Sequence, residues 1–428
     1  MRRLTTDDEA DETPPRTLAP ARAAPPPSQA RLPWGFVASL SLAQLISWGS
    51  IFYAFTLFME PMTRELGWSK PQLTAAYSLG LMGWGLGAVP VGRLVDLGYG
   101  RLVMTGGSLL AAVLFALWSR VESYPVFVAL WIGLGLTMSA LLYDPAFAVL
   151  TRRLGPLSRR GITAMTLVGG FASTVFIPLT HVLIERLGWR DALVALALVN
   201  LAVCAAIHLV AIPSERGRPA TALATAAGPS RGAARRVFGK LAFWGMVGTG
   251  IIHGALFTGF SVHLIPLLVE RGFSLTAAVA GFSLIGPAQV ASRIVIALTE
   301  GFLTMRAIGL ITTALPALGL ALLAALEPGS WLVVLFFALY GAANGMMTIV
   351  RAVLPIEIFG RADYGAIQGM IGAPAILSKA AGPFLFGLVW AWSGGYGAVV
   401  VLGLAMALAL LICFAATVFT ASPEPRHD

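Results

Sequence analysis

Residues 47–79 read SWGSIFYAFTLFMEPMTRELGWSKPQLTAAYSL, and residues 252–284 read IHGALFTGFSVHLIPLLVERGFSLTAAVAGFSL. Laid over one another without a gap, the two stretches share glycines, prolines, aromatic residues and serines. The matched pairs are Gly49/Gly254, Phe52/Phe257, Phe55/Phe260, Pro61/Pro266, Gly67/Gly272, Ser69/Ser274, Ser78/Ser283 and Leu79/Leu284, and the same spacing continues at Ser173/Ser378 and Pro178/Pro383. Chance agreement between apolar segments is the alternative, and it explains the shared prolines and Gly-aromatic-Ser turn poorly. The pattern indicates an internal repeat of about half the chain.

The composition is that of an integral membrane protein. Hydrophobic residues make up 57% of the chain and charged residues 11%, against about 25% charged residues in soluble domains. The net charge of +9 could indicate a nucleic-acid partner, but the positive residues lie in short loops between apolar runs, as membrane topology requires. Cys204 and Cys413 both fall inside apolar runs, so no disulfide framework is predicted.

The apolar runs predict an all-α integral membrane fold. About 20 apolar residues cross a bilayer core, and twelve runs meet this length. They lie near 34–59, 71–94, 102–119, 125–149, 161–183, 191–211, 242–268, 276–299, 306–325, 331–354, 364–391 and 397–419. We therefore predict two pseudo-symmetric six-helix halves, 33–212 and 241–420. A cytoplasmic linker (213–240) joins them, between a disordered tail (1–32) and a short tail (421–428). Two parallel-repeat halves of this kind are typical of transporters whose solute site lies where the halves meet.

The loop arginines and lysines predict the orientation. One side of the predicted topology carries Arg93, Arg101, Arg152, Arg153, Arg159, Arg160, Arg306, Arg351 and Arg361. The other carries Arg64, Lys70, Arg120, Arg186, Arg190 and Arg271. The positive-inside rule places the first side in the cytoplasm, so we predict a multi-pass protein of the cytoplasmic (inner) membrane with both termini cytoplasmic. The loops are too short for a soluble enzyme domain, so we expect no enzyme activity and no cofactor.

Residues 92–101 read GRLVDLGYGR. This stretch resembles the signature loop of the major facilitator superfamily, with Gly92, Leu94, Asp96, Gly100 and Arg101 at the matching positions. The resemblance implies the twelve-helix fold of that superfamily and a gate at the cytoplasmic end, to which Gly92, Asp96 and Arg101 would belong. Gly92 would let neighbouring helices approach closely.

Three further segments are similar to bacterial relatives of the monocarboxylate transporters and oxalate/formate antiporters: ISWG at 46–49, ELGWS at 65–69 and QVASR at 289–293. Arg293 matches the arginine of that family's eighth helix, whereas Gln289 stands where the family has an aspartate. The family's first-helix lysine has no counterpart in residues 46–59, so the resemblance does not extend to proton-coupled lactate transport. The residues around Gly169 do not reproduce the multidrug-antiporter motif, which counts against drug efflux.

Two cations, Arg293 and Lys379, lie at least six residues from either end of their predicted spans, where a charge costs at least about 2.5 kcal/mol. Arg293 and Lys379 could each extend along its helix to reach the interface. The alternative is that they bind an anionic solute in a central cavity, and arginine's planar fork suits a carboxylate. We predict the second, with Tyr53 and Gln289 as further substrate-binding residues.

Asp144 and His253 are the candidates for a coupling proton, because buried carboxylates and histidines can exchange protons. The alternative for Asp144 is a structural ion pair with Arg93 or Arg152. The alternative for His253 is a polar residue at the mouth of the cavity.

The sequence thus predicts a secondary transporter that moves a small, monocarboxylate-like organic anion by alternating access. Its predicted partners are the solute, a coupling proton and the lipid bilayer, with no nucleic acid, and we expect a monomer. Efflux of drug-like or other toxic compounds is the first alternative. A membrane sensor would need a signalling domain, and export of a metal or arsenical has no Cys/His cluster to support it.

Overall fold

A computed structural model describes residues 32–214, 237–299, 302–325, 327, 329–359 and 364–421. Within these ranges the chain forms long helices, and no residue is in a β-strand. The helices of the first half are α1 (Trp34–Leu66), α2 (Lys70–Leu94), α3 (Gly100–Trp118), α4 (Tyr124–Leu154), α5 (Arg160–Leu187) and α6 (Trp189–Ala211). Those of the second half are α7 (Leu241–Glu270), α8 (Leu275–Ile296), α9 (Met305–Ala325), α10 (Leu332–Phe359), α11 (Tyr364–Ser393) and α12 (Tyr396–Thr420).

The membrane-spanning fold predicted from the sequence is confirmed. Eleven helices of the described chain are long and apolar enough to cross a membrane. The remaining one, α2, has 25 residues and is less apolar because it is rich in glycine. The predicted terminal tails and most of the predicted linker lie outside the described residues.

The sequence repeat corresponds to repeated structure. Gly67 ends α1 with a φ of 72°, and its match Gly272 lies in the α7–α8 turn with a φ of 85°, a left-handed conformation that favours glycine. Gly49 of α1 leaves no room for a side chain beside Phe176 of α5. Its match Gly254 of α7 likewise lies against Ser378 of α11. Helices 1 and 5 of each half therefore pack at matching glycines.

Serine caps begin two of the matched helices. The Ser69 side chain accepts a hydrogen bond from Gln72 N and the Gln72 side chain accepts one from Ser69 N, which forms the capping box of α2. Ser274 caps α8 by accepting from Ala277 N at 3.1 Å. Ser123 precedes the first residue of α4, and its side chain makes no capping bond.

In four helices, a backbone carbonyl that a proline leaves free accepts a hydrogen bond from a side chain of another helix. A proline has no N–H for the carbonyl four residues earlier. Pro145 thus frees the carbonyl of Leu141, α4 is interrupted at Leu142, and Gln44 Nε2 of α1 donates to Leu141 O at 2.5 Å. In three further helices a threonine hydroxyl donates to the carbonyl that a proline leaves free: Thr56 to Val262 O, Thr174 to Ser283 O, and Thr258 to Lys379 O.

The two halves meet through α1 with α7, α2 with α11, and α5 with α8. The turn between α2 and α3 lies at one end of the bundle, which we call the basic end. The turn between α1 and α2 lies at the other end, which we call the opposite end. Toward the opposite end, Thr56 Oγ1 of α1 donates to Val262 O of α7 at 2.8 Å. There the Lys70 ammonium also lies 4.1 Å from the centre of the Trp390 ring, at the end of α11.

Candidate functional site: a cavity between the two halves

A cavity of about 160 Å³ lies where the two halves meet. Helices α1, α2, α4 and α5 line it from the first half, and α7, α8, α10 and α11 from the second. Its lining residues are Trp48, Phe52, Tyr53, Trp84, Tyr143, Gly169, Gly170, His253, Phe257, Thr258, Gln289, Arg293, Asn344, Met347, Thr348, Arg351 and Lys379. The structure therefore brings the four predicted substrate-binding residues, Tyr53, Gln289, Arg293 and Lys379, to one cavity, together with His253.

Arg293 is held by backbone carbonyls from two other helices. Its Nη1 donates to Thr166 O of α5 at 3.1 Å, and its Nε lies 3.5 Å from Gly345 O of α10. Among the described residues, no carboxylate forms a salt bridge with it. Its side chain is partly buried and lines the cavity, so the guanidinium is oriented by neutral partners while its charge stays available to an anion.

Lys379 lies near the middle of α11, and the local backbone explains its position. Pro383 frees the Lys379 carbonyl, and Thr258 Oγ1 of α7 donates to it at 2.7 Å. The ammonium lies 5.9 Å from the centre of the Trp84 ring, across the cavity in α2, a geometry that permits a cation–π contact. No carboxylate within the described chain forms a salt bridge with Lys379, although Asp144 is near enough to act on it electrostatically.

Arg351 is a third cation of the cavity, and it is not among the site residues predicted from the sequence. Arg351 lies only three residues before the end of the predicted span at residue 354, and we predicted it on the cytoplasmic side with the loop arginines. The helix α10 continues to Phe359, so Arg351 lies eight residues from the end of the helix. With Asn344, Met347 and Thr348 it forms a stripe at helical spacing, and all four residues line the cavity. This stripe is the sequence signal that would have identified it.

Aromatic side chains form the wall that faces these cations. The Trp48 ring lies 5.3 Å from Phe52, 5.8 Å from Trp84 and 5.0 Å from Tyr143 between ring centres. Tyr53 contacts the Phe52 ring at 5.1 Å. These aromatic residues come from α1, α2 and α4 of the first half.

Polar residues connect the aromatic wall to the cations. The Tyr53 hydroxyl interacts with the Gln289 side chain and lies in the electrostatic field of Arg293. Tyr143 lies in the same field. Gln289 precedes Arg293 by one helical turn in α8, so both face the cavity.

The two proton-coupling candidates occupy different positions. His253 lines the cavity and lies in the field of Arg351 and Lys379. Its ring is parallel to Phe257, with 6.1 Å between the centres. Asp144 is exposed in the first turn after the interruption of α4 and is not a lining residue. The alternative pairing of Asp144 with Arg93 or Arg152 is not among the observed salt bridges of the described residues. His263, by contrast, bonds Tyr396 and the Pro383 carbonyl and is structural.

The predicted gate lies at the basic end. Gly98 has a φ of 88°, so the turn between α2 and α3 depends on this glycine. Arg101 lines a shallow recess there together with Arg152 and Arg153, and the side chain of Asp96 lies outside the described part of the chain. The expected close helix approach at Gly92 is wrong, because a Cβ on Gly92 would meet nothing within 4 Å. The close approach occurs instead at Gly100, where a Cβ would lie 2.7 Å from Val149.

Two six-helix bundles that enclose a polar cavity within membrane-spanning helices define a transporter of small solutes. The sequence profile of the Major Facilitator Superfamily matches residues 40–303. The chain belongs to this superfamily and is a transporter, not an enzyme. No cluster of three or more His, Cys, Asp or Glu side chains that could hold a metal ion occurs in the described residues.

Curated relatives and solved structures agree with this assignment. The chain is 28% identical to monocarboxylate transporter 11 of Homo sapiens over 278 residues, 61% of this chain and 54% of that protein. It thus spans about half the length of that relative. It is 26% identical to monocarboxylate transporter 13 of Rattus norvegicus over 376 residues, 79% of each chain. The crystal structure of the nucleoside transporter NupG shares the fold, with a TM-score of 0.71 at 17% identity, over 89% of this chain and 98% of that one.

Proposed function

We propose that the chain transports a small organic anion, of the monocarboxylate class, by alternating access of the central cavity. The observation that carries this proposal is the set of three cations, Arg293, Arg351 and Lys379, on one cavity. Arg293 is oriented by carbonyls and Lys379 lies beside a ring, so neither is neutralised by a salt bridge within the described chain. Uncompensated charges inside a membrane are costly, and an anionic solute would supply the missing counter-charge.

The chemistry of the cavity distinguishes anions from other solutes. A guanidinium can bind both oxygens of a carboxylate, and such charge-assisted hydrogen bonds are about twice as strong as neutral ones. A cationic solute would meet three like charges in the same cavity. The similarity to monocarboxylate transporters 11 and 13 supports the same class of substrate.

Alternating access requires one gate at each end of the cavity. We assign Gly92, Asp96 and Arg101 to the gate at the basic end. We assign the Thr56–Val262 hydrogen bond and the Lys70–Trp390 contact to the gate at the opposite end. The excess of arginine at the basic end supports a cytoplasmic location for that end. The proposed protein is a monomer in the cytoplasmic (inner) membrane with both termini cytoplasmic.

Asp144 and His253 are the residues proposed to carry a coupling proton. His253 lines the cavity in the electrostatic field of Arg351 and Lys379, where protonation would change the charge that the solute meets. Asp144 acts electrostatically on Lys379, so its protonation would change the field at that cation.

The experiment is thermal stability of the detergent-purified protein with monocarboxylates, dicarboxylates, other organic anions and lipophilic cations, followed by uptake into proteoliposomes. A ligand at about 100 times its Kd stabilises the folded state by about 2.7 kcal/mol. We expect stabilisation by carboxylates, lost in Arg293→Ala and retained in the control Arg186→Ala, an exposed arginine outside the cavity. Normal anion uptake by folded Arg293→Ala would disprove the assignment of this residue.

Efflux of drug-like or other small toxic compounds is the second candidate, and the aromatic wall favours it. Stabilisation by lipophilic cations without stabilisation by any anion would favour a drug-like substrate and reject the anion proposal.

A further inference from the structure

The two halves contribute different chemistry to the cavity. Among the described residues, six Trp, Tyr and Phe rings line the cavity, and five of them come from the first half: Trp48, Phe52, Tyr53, Trp84 and Tyr143. The three cations that line it within the described chain come from the second half, from α8, α10 and α11. The substrate therefore meets an aromatic surface on one side and a positive surface on the other.

The aromatic surface is continuous. The centre of the Trp48 ring lies between 5.0 and 6.5 Å from the ring centres of Phe52, Tyr53, Trp84 and Tyr143. Aromatic pairs at separations of about 4.5–7 Å attract one another in tilted and edge-to-face arrangements. A planar ring of the substrate could add to this cluster in the same way, whereas a short aliphatic anion would leave it without a partner.

The aromatic surface lies close to the cations of the second half. The Lys379 ammonium lies 5.9 Å from the centre of the Trp84 ring. Arg293 is held next to Gly345 of α10. Arg351 follows Gly345 by six residues in the same helix, so at 1.5 Å per residue it lies about 9 Å nearer the basic end. A carboxylate attached directly to a ring that lies beside Trp84 would be within reach of a cation without leaving the aromatic surface.

The volume fits one ring. The cavity measures about 160 Å³, and an apolar protein cavity of about 150 Å³ holds one benzene molecule.

We infer that the anion is an aromatic monocarboxylate, bound with its ring against the Trp48 cluster and its carboxylate toward the cations of the second half. This inference rests on the proposed transport of organic anions and specifies the class of anion.

The experiment measures the Kd values of benzoate, cyclohexanecarboxylate and acetate for the purified full chain in nanodiscs. Benzoate and cyclohexanecarboxylate carry the same charge and a ring of the same number of atoms, so their comparison isolates aromaticity. An aromatic contact favours benzoate by about fivefold over cyclohexanecarboxylate, and acetate should bind more weakly than both. Equal or tighter binding of cyclohexanecarboxylate or acetate, with binding still dependent on Arg293, would overturn the aromatic class and leave anion transport intact. Absence of binding by every carboxylate would reject both proposals.

Variants test the position of the ring. Trp48→Leu should reduce the fivefold preference to less than about twofold, while the Kd of cyclohexanecarboxylate changes little. Trp84→Leu provides a second, independent variant of the same wall. The control is Trp392→Leu, whose ring is 86% exposed at the end of α11, and it should leave the preference unchanged. A preference for benzoate that survives in both wall variants would overturn the proposed ring position. If neither variant folds, the comparison of the three ligands on the unaltered chain still decides the inference.

Discussion

Nη1 of Arg293 in α8 donates a hydrogen bond to the carbonyl oxygen of Thr166 in α5, at 3.1 Å. This bond joins the second half to the first at the edge of the cavity. Because the partner is a neutral carbonyl, the bond orients the guanidinium without cancelling its charge. An anion that enters the cavity therefore meets a donor that is already in place, which lowers the entropy cost of binding.

Arg293→Lys should keep the positive charge but lose the planar guanidinium that can bind both oxygens of a carboxylate. Lysine offers a point charge on a flexible stem, so it cannot bind both carboxylate oxygens in the arginine's geometry. We expect the Kd for the transported carboxylate to rise about 10- to 100-fold, in line with the loss of a charge-assisted hydrogen bond. Calorimetric titration measures it, with Arg186→Lys as the control. A Kd within about twofold of the parent would show that charge alone matters at this position.

Arg351→Gln should weaken anion binding less strongly and change its salt dependence. Arg351 is exposed where it lines the cavity, so solvent screens its charge more than that of Arg293. We expect the Kd to rise about three- to tenfold at low salt, with a smaller difference at high salt. Arg306→Gln, an arginine near the start of α9, is the matched control. An effect as large as that of Arg293→Ala would place Arg351 in direct contact with the solute.

The helices and the repeat could be predicted from sequence because both follow from local chemistry. Apolar length determines the spans, and the Gly67/Gly272 match predicts equivalent turns. Arg293 and Lys379 could be found because a charge within an apolar run is conspicuous. Arg351 was less conspicuous, because it lies three residues before the predicted end of its span and is typical of a helix-end arginine there, whereas the helix continues to Phe359.

Contacts between helices distant in sequence could not be predicted. The sequence shows that Pro266 and Pro383 free two carbonyls, but not that Thr56 and Thr258 occupy them. Such pairs depend on how helices pack, and any threonine facing a neighbouring helix is an equal candidate. Gly92 illustrates the same limit, since the family resemblance implied a close approach that occurs at Gly100 instead.

Thr258→Val should destabilise the fold and disturb Lys379. The substitution keeps the shape of the side chain and removes the donor to the Lys379 carbonyl, which Pro383 leaves without an N–H partner. We expect a loss of about 0.5–2 kcal/mol and a lower thermal midpoint. Thr313→Val is the matched control, because the Thr313 hydroxyl bonds only within α9. Equal thermal midpoints for the two variants would mean that the hydrogen bond between α7 and α11 adds no more stability than a bond within one helix.

Gly254→Ala should destabilise the second half by overpacking. A Cβ at Gly254 would lie 2.7 Å from Ser378 Oγ and 3.0 Å from Ala375 O, so α7 and α11 would have to separate. Overpacking of this kind costs about 1–3 kcal/mol. The control Gly397→Ala adds a methyl group where nothing lies within 4 Å, and it should be neutral or stabilising. Thermal unfolding of both variants tests this; a midpoint for Gly254→Ala at or above that of the parent would contradict the close packing.

Thr56→Val should shift the protein toward the state that opens at the opposite end. The Thr56 hydroxyl donates to Val262 O, freed by Pro266, and so joins α1 to α7 across the two halves. Loss of a bond worth about 1 kcal/mol changes the ratio of the two states about fivefold. Spin labels at Arg120→Cys and Glu327→Cys, with Cys204 and Cys413 replaced by serine, report the separation of the halves at that end. We expect the longer distance to gain population in Thr56→Val but not in Thr313→Val. Identical distance distributions in the two variants would mean that the bond does not hold the opposite end closed.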